Sequence, residues 1–273
     1  MTGCEPSIVQ YWHSTEIPVE VAELVGTFRN LNPDLHHRLF CEATAGEFIA
    51  EHFSAREVAA FRACAVPAMQ ADYFRYCAVL ALGGIYSDAD FRCVRPLREL
   101  LASTGGGRLF RREPPGYLLN GFFLFDAPGH PLLRLTLDIA TANIEGRVGE
   151  RVQMVTGPWI FSGLAALHRL GSSEPTYGGV GDRGLGTLVE PFHRMAAQQV
   201  PMPAARLDIP QMTAALFETV GDYGVVDEAF EGVVISPLET ATEWVHEPES
   251  PLPYRGNEEH WINWQNRGST IFR

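Results

Sequence analysis

The sequence predicts an α/β domain built on a parallel, doubly wound sheet with helices on its faces. Two observations carry that expectation. Short β-rich runs alternate with segments of helical periodicity over about the first ninety residues, the order that parallel strands and crossover helices require. The chain has 273 residues, 46% hydrophobic and 20% charged, which is enough apolar material for one large core.

The elements follow in order. Ser7-Ile8-Val9-Gln10-Tyr11-Trp12 is short and rich in β-formers and predicts a buried first strand ending before His13-Ser14. Val19 to Leu31 has helical spacing in Val21, Leu24, Val25 and Phe28, and Asn32-Pro33-Asp34 breaks it. Leu35 to Cys41 predicts a second strand, and about Ala43 to Phe53 the next helix. Ligands of such sheets sit beyond the carboxyl ends of the strands, where Trp12 falls. Trp12 reads either as a core or rim aromatic or as a platform for a nucleotide base.

The stretch from Pro67 to Pro96 organises the rest. Pro67 suits the first turn of a helix, and Asp72, Arg75 and Val79 share a face by their spacing. The helix is apolar on most sides through Met69, Phe74, Ala78, Val79 and Leu82, so Asp72 and Arg75 are expected to point into a site and not into water. Gly83-Gly84 closes it, Ile85-Tyr86 reads as a short buried strand, and Ser87-Asp88-Ala89-Asp90 follows. Carboxylates two apart lie on one side if the strand stays extended, and at a strand-to-loop transition both can turn toward one cation; Mg²⁺ or Mn²⁺ takes such hard oxygens together with substrate phosphates. An Asp-x-Asp pair alone is a weak signal, because acidic turns are common; the apolar run before it strengthens it.

Beyond it, Arg95 to Leu101 predicts a short helix, and Leu109-Phe110 and Leu118 to Phe125 predict strands, the latter holding Asn120-Gly121. Thr156-Gly157-Pro158-Trp159 opens a helix to about His168, and Gly232 to Pro237 reads as a late strand. Gly179, Gly181 and Gly184 spell G-x-G-x-x-G, but no strand precedes and no clean helix follows, so the dinucleotide reading is rejected.

A net charge of −12 speaks against a nucleic-acid partner, and no polybasic run suggests a membrane surface. No run approaches the roughly 18 apolar residues of a membrane span. Five cysteines without C-x-x-C spacing read as reduced core thiols. The expectation is a cytoplasmic, bacterial enzyme without membrane insertion.

The order Asp72-x-x-Arg75-Tyr76, then Leu82-Gly83-Gly84-Ile85-Tyr86-x-Asp88-x-Asp90, resembles the sugar-binding region of glycosyltransferases with a DXD motif. These include the initiating α-1,6-mannosyltransferases, the α-1,4-galactosyltransferases and, more distantly, the glucosylating domains of large clostridial toxins. Looser likenesses lie in Asn120-Gly121-Phe122-Phe123, Pro128-Gly129-His130-Pro131, Thr156 to Trp159, and His260-Trp261-Ile262-Asn263-Trp264, where the family's closing motif is one residue longer.

The resemblance implies a single GT-A-like domain with a Rossmann-like mixed sheet, its nucleotide-binding part over about 1–100 and an acceptor side and C-terminal lid over about 101–273. It implies a metal-dependent hexosyltransferase that moves a sugar, with retention, from a nucleotide diphosphate sugar to an acceptor hydroxyl. The acceptor is unidentified, and a UDP-sugar is favoured over a GDP-sugar. Asp88 and Asp90 would hold Mn²⁺ or Mg²⁺, with His260 as a further ligand in one reading and a plain surface residue in the other. Asp72 and Arg75 would contact the sugar and diphosphate, Trp12 the base, and Trp264 the diphosphate. Tyr86 and Asn120 would pack near the sugar, or serve simply as a core residue and a turn. A nucleotide-sugar hydrolase, a nucleotidyltransferase or a sugar-binding module without catalysis are the alternatives.

Overall fold

The computed structural model describes residues 6–112, 117–149, 151–171, 228–247, 252 and 270–273. Their frame is a six-stranded sheet in the order β2-β1-β3-β6-β5-β7. Strand β1 (Ser7–Tyr11) lies parallel between β2 (His36–Phe40) and β3 (Gly84–Ser87). Strand β6 (Tyr117–Phe125) runs antiparallel to both of its neighbours, β3 and β5 (Gly107–Arg112), while β7 (Val233–Pro237) is parallel to β5. The three strands of the first ninety residues are thus parallel, as their spacing predicts, and the sheet as a whole is mixed, as the resemblance implies. Five strands share a direction, and β6 alone is reversed. Its direction follows from the sheet partners it finds far along the chain, which strand-like composition does not encode.

Strands β1, β3 and β6 are largely apolar because both faces are covered, whereas β2 and β5 carry several His and Arg side chains. Side chains alternate between two core clusters: Val9, Tyr11, Tyr86, Leu109, Phe123 and Phe125 on one face, and Ile8, Ile85, Phe110, Phe122 and Leu124 on the other. The first face is covered by α2 (Glu42–His52), α3 (Ala55–Ala63), α4 (Pro67–Leu82), α6 (Pro131–Glu145), α7 (Val152–Val155) and α8 (Trp159–Gly171). The second carries α1 (Val19–Leu31), α5 (Arg98–Ala102) and α9 (Leu238–Thr242), with the small ribbon of β4 (Arg92–Cys93) and β8 (Val245–His246).

Local chemistry sets the boundaries. In α1 the four residues of the expected stripe, Val21, Leu24, Val25 and Phe28, are the buried ones. Asn32 caps that helix and is buried; its side chain donates to Phe28 O at 2.8 Å and accepts from Leu97 N at 2.6 Å, tying α1 to the chain after β4. Helix α3 was not anticipated. Its capping box, in which the Ser54 backbone N–H donates to Glu57 at 3.1 Å and Arg56 N donates to the Ser54 hydroxyl at 3.2 Å, is a sequence signal that would have found it.

Helix α4 is the central element. From Met69 to Leu80 nearly every side chain is buried, including Gln70, Asp72 and Arg75. It ends at Gly83, and Gly83 and Gly84 both have positive φ, 68° and 89°. At Gly84 a Cβ would stand 2.2 Å from Ser7 O, so only glycine lets β3 come up against β1 there. Cys64, Cys77 and Cys93 are buried free thiols, and Cys41 is partly buried and also free. Among the described residues no helix is long and apolar enough to cross a membrane.

Candidate active site

The site forms where β3 ends. Residues Asp88 to Asp90 are not an extension of the strand: Phe91 N donates to Asp88 O at 3.2 Å and closes a turn. This is the strand-to-loop transition at which two such carboxylates can turn toward one cation, and not the extended alternative. The turn lets Asp88 face inward and leaves Asp90 partly exposed beside it.

Behind the turn, α4 supplies the first charged pair. One helical turn brings Arg75 Nη2 within 2.9 Å of Asp72 Oδ1, and the same nitrogen reaches Asp88 Oδ1 at 3.1 Å. Arg75 Nη1 donates to Asn120 O at 2.6 Å and Nε to Ala71 O at 3.1 Å. The guanidinium also stacks on the Tyr86 ring, 4.6 Å from its centre. Burial works against the Arg75 charge, but Asp88, Tyr86 and Asp72 around it hold its pKa well above the ordinary arginine value.

Asp72 is equally enclosed. Its Oδ1 also accepts from Asn120 Nδ2 at 2.8 Å, and Oδ2 accepts from the Thr156 hydroxyl at 3.3 Å. Burial pushes its carboxyl above the usual range, against the pull of Arg75, Asn120 and Thr156. Asn120 gives its amide to Asp72 and, at 3.3 Å, to the Tyr76 hydroxyl, which itself donates to Thr156 O at 2.7 Å. Asn120 is thus a buried partner of Asp72 and no turn residue: it lies inside β6.

Tyr86 is fully buried and stacked on Phe123, so the core reading of this residue describes its packing. It touches the site through its ring, under Arg75, and through its hydroxyl, which donates to Asp88 Oδ1 at 3.0 Å. Asp88 itself keeps 32% of its side chain exposed. Burial raises its pKa to about 7; Arg75 opposes that shift, while Asp90 and Asp72 add to it.

Trp12 lies just past the end of β1, its N–H donating to Phe40 O at 2.9 Å. It is half-buried against a small cluster of Val21, Val25 and Ala89, the last being the middle residue of the acidic turn. The platform candidate and the two acids thus share one end of the sheet. His260 and Trp264 lie outside the described residues.

The donor chemistry here suits a hard divalent cation: two carboxylates, one partly exposed on each side of a tight turn, with a fixed arginine behind them. Among the described residues no group of three His, Cys, Asp or Glu side chains could hold a metal ion. Asp88 and Asp90 would therefore need phosphate oxygens, water or a residue from elsewhere to complete a coordination shell.

Sequence reasoning placed Asp72, Arg75, Asp88 and Asp90 together but missed the groups that fix them. Thr156 was noted only as the opening of a helix, and Gln10, Tyr76 and Gly121 were not singled out. Their sequence distances from the acids hide them, although a polar Gln10 inside an apolar strand was a usable signal.

A known family matches the same stretch. Residues 18–105 match the family described as glycosyltransferase sugar-binding region containing DXD motif. The chain is similar to inositol phosphoceramide mannosyltransferase 3 of Schizosaccharomyces pombe, with 31% identity over 129 residues, 47% of this chain and 35% of that protein. It thus spans only about a third of the length of that relative. Among solved structures it is similar to PaToxG glycosyltransferase at 17% identity, with a TM-score of 0.47, over 99% of this chain and 89% of the other. The segment that carries Asp72, Arg75, Tyr86, Asp88 and Asp90 thus matches the glycosyltransferase sugar-binding region containing DXD motif.

Proposed function

We propose that the chain transfers a sugar, with retention, from a nucleotide diphosphate sugar to an acceptor hydroxyl, and that it needs Mn²⁺ or Mg²⁺ to do so. The observation that carries this reading is the joint placement of Trp12, Asp88 and Asp90 at one end of the sheet, with a buried Asp72–Arg75–Asn120 network directly behind. Trp12 offers a face for the base, and the preference for UDP rests on that platform.

Asp88 and Asp90 would hold the divalent cation, Asp90 more directly because Asp88 Oδ1 is already engaged by Arg75 and Tyr86. When bound, the cation supplies Lewis-acid stabilisation of the charge on the departing diphosphate. Arg75 adds a fixed positive charge, pre-oriented by four protein partners, so it need not reorganise as charge develops. An ionised carboxylate has about four acceptor directions. Asp72 spends three of them on Arg75, Asn120 and Thr156, which leaves one for a sugar hydroxyl.

The test is a donor screen on the purified chain with Mn²⁺, reading thermal shift and nucleotide release for UDP-sugars, GDP-sugars and specifically mannosyl donors, since a mannosyltransferase is among the relatives. Stabilisation by one donor that needs metal and disappears in Asp90→Asn is the expected result. No response to any donor, with the protein folded, would remove the metal and donor assignment. Product NMR reads the anomer, and inversion would sink retention. Sugar release that does not depend on any acceptor would point to hydrolysis instead.

A further inference from the structure

We infer that Gln10, His37 and Gly121 are positioning residues that fix the Asp88 carboxylate from the backbone side. This deepens the reading above and rests on Asp88 being part of the metal and diphosphate site.

Gln10 is a polar side chain fully buried in the middle of β1. Its Nε2 donates to Asp88 O at 3.2 Å, and its Oε1 meets His37 Nε2 at 2.7 Å. An amide oxygen only accepts, so His37 carries its proton on Nε2 and thereby sets which way the Gln10 amide points. Asp88 O also accepts from the Ser87 hydroxyl at 3.2 Å and from Phe91 N at 3.2 Å. One carbonyl is thus gripped by β1, by its own strand and by the turn.

Gly121 closes the other side. Its carbonyl accepts from Asp88 N at 2.8 Å. A Cβ at residue 121 would stand 2.3 Å from Asp88 Oδ2 and 3.2 Å from Asp88 Cγ. Gly121 is not among the glycines with positive φ, so the backbone there would accept any residue. What glycine supplies is room for one oxygen of Asp88. With Oδ1 held by Arg75 and Tyr86 and Oδ2 lying against Gly121, the carboxylate has a single seat.

The experiment measures Mn²⁺ affinity by electron paramagnetic resonance on the full chain, with Mn²⁺ alone, with UDP and with GDP. Wild type, Gln10→Met, Gly121→Ala and the double variant are compared, together with melting temperatures without metal. Each single change is expected to weaken Mn²⁺ binding about tenfold, the scale of groups that orient a ligand. The double variant should be no weaker than the worse single one, because both changes displace the same carboxylate. His37→Gln, which keeps a donor for Gln10, should retain Mn²⁺ affinity, while His37→Phe should lose it. That contrast separates positioning from simple destabilisation and holds even if Gln10→Met does not fold. Wild-type affinity in folded Gly121→Ala and His37→Phe, or additive losses in the double variant, would overturn the inference. Wild type that binds no Mn²⁺ with any of the three probes would overturn the metal reading above, and this inference with it.

Discussion

Strands β3 and β6 are neighbours, yet they serve the site in opposite ways. Strand β3 is four residues long, and what matters lies past its end, in the turn holding Asp88 and Asp90. Strand β6 is nine residues long, and what matters lies at its middle, at Asn120 and Gly121. Antiparallel pairing of Ser87 with Phe122 makes this possible: the middle of β6 lies where β3 finishes. Parallel strands deliver their carboxyl ends to a ligand. The one reversed strand among those described instead delivers a backbone carbonyl and a side-chain amide from within its ladder, where they are held more rigidly than in a loop.

If that division is right, damage on the two sides should differ in kind. The largest effect is expected for Arg75→Met, which strips the shared cation from Asp72 and Asp88 and leaves Asp72 buried without its charge partner. It should cost about 3–5 kcal/mol of stability, read by urea unfolding at neutral pH, and abolish transfer as well. A variant of near-normal stability would mean that the network is not held together by that charge.

Asp90→Asn, on the turn side, should do the reverse. It should lower transfer at saturating donor by at least about a hundredfold, with little change in melting temperature. Equal losses of stability and activity would erase the contrast between turn and strand.

A third expectation concerns β2, whose His37 reaches the turn through Gln10. Burial, with Arg29 and His36 adding, lowers the His37 pKa from 6.5 to about 4. Between those values the unfolded chain binds a proton that the folded chain refuses, so stability rises with pH across this window. The contribution is complete above about pH 6.5 and is lost as pH falls toward 4, on the order of 2 kcal/mol for a ring that is not wholly enclosed. His37→Gln should flatten the curve of unfolding free energy between pH 6.5 and 4; an unchanged slope would assign the effect to other groups. The smallest effect is expected at Trp12→Leu, which should raise the donor KM by about fivefold, roughly 1 kcal/mol, with kcat nearly kept. A change in kcat instead would mean that Trp12 acts on the reacting end of the donor.

Much of this was legible in the chain. Local signals located β1, α1, α4 and β3 because spacing, Pro67 and Gly83-Gly84 act within a few residues of one another. The burial of Asp72 and Arg75 could be read from the apolar residues surrounding them on α4. What could not be read were contacts between distant segments. Thr156 reaches Asp72 across 84 residues and Gln10 reaches Asp88 across 78, and no periodicity reports such a pairing. The reversal of β6 belongs to the same class, since a strand's composition does not state its direction. Which of the two geometries open to Asp88 and Asp90 is taken was decided locally: the Phe91 N–H found Asp88 O and tightened the chain into a turn.

Gly83 and Gly84 also fix an origin from which the acids are counted. A Cβ on Gly83 would meet the Ala127 and Pro128 backbone at 2.9–3.0 Å, and one on Gly84 would meet Ser7. The two positions therefore pin the start of β3 to the chain just after β6 on one side and to β1 on the other, and Asp88 comes four residues after Gly84. An insertion between them has nowhere to be absorbed, because Ile85 and Tyr86 already alternate into opposite cores. In a population of functional sequences, length in this interval should be invariant even where side chains drift, and a library randomised at position 84 should return glycine alone.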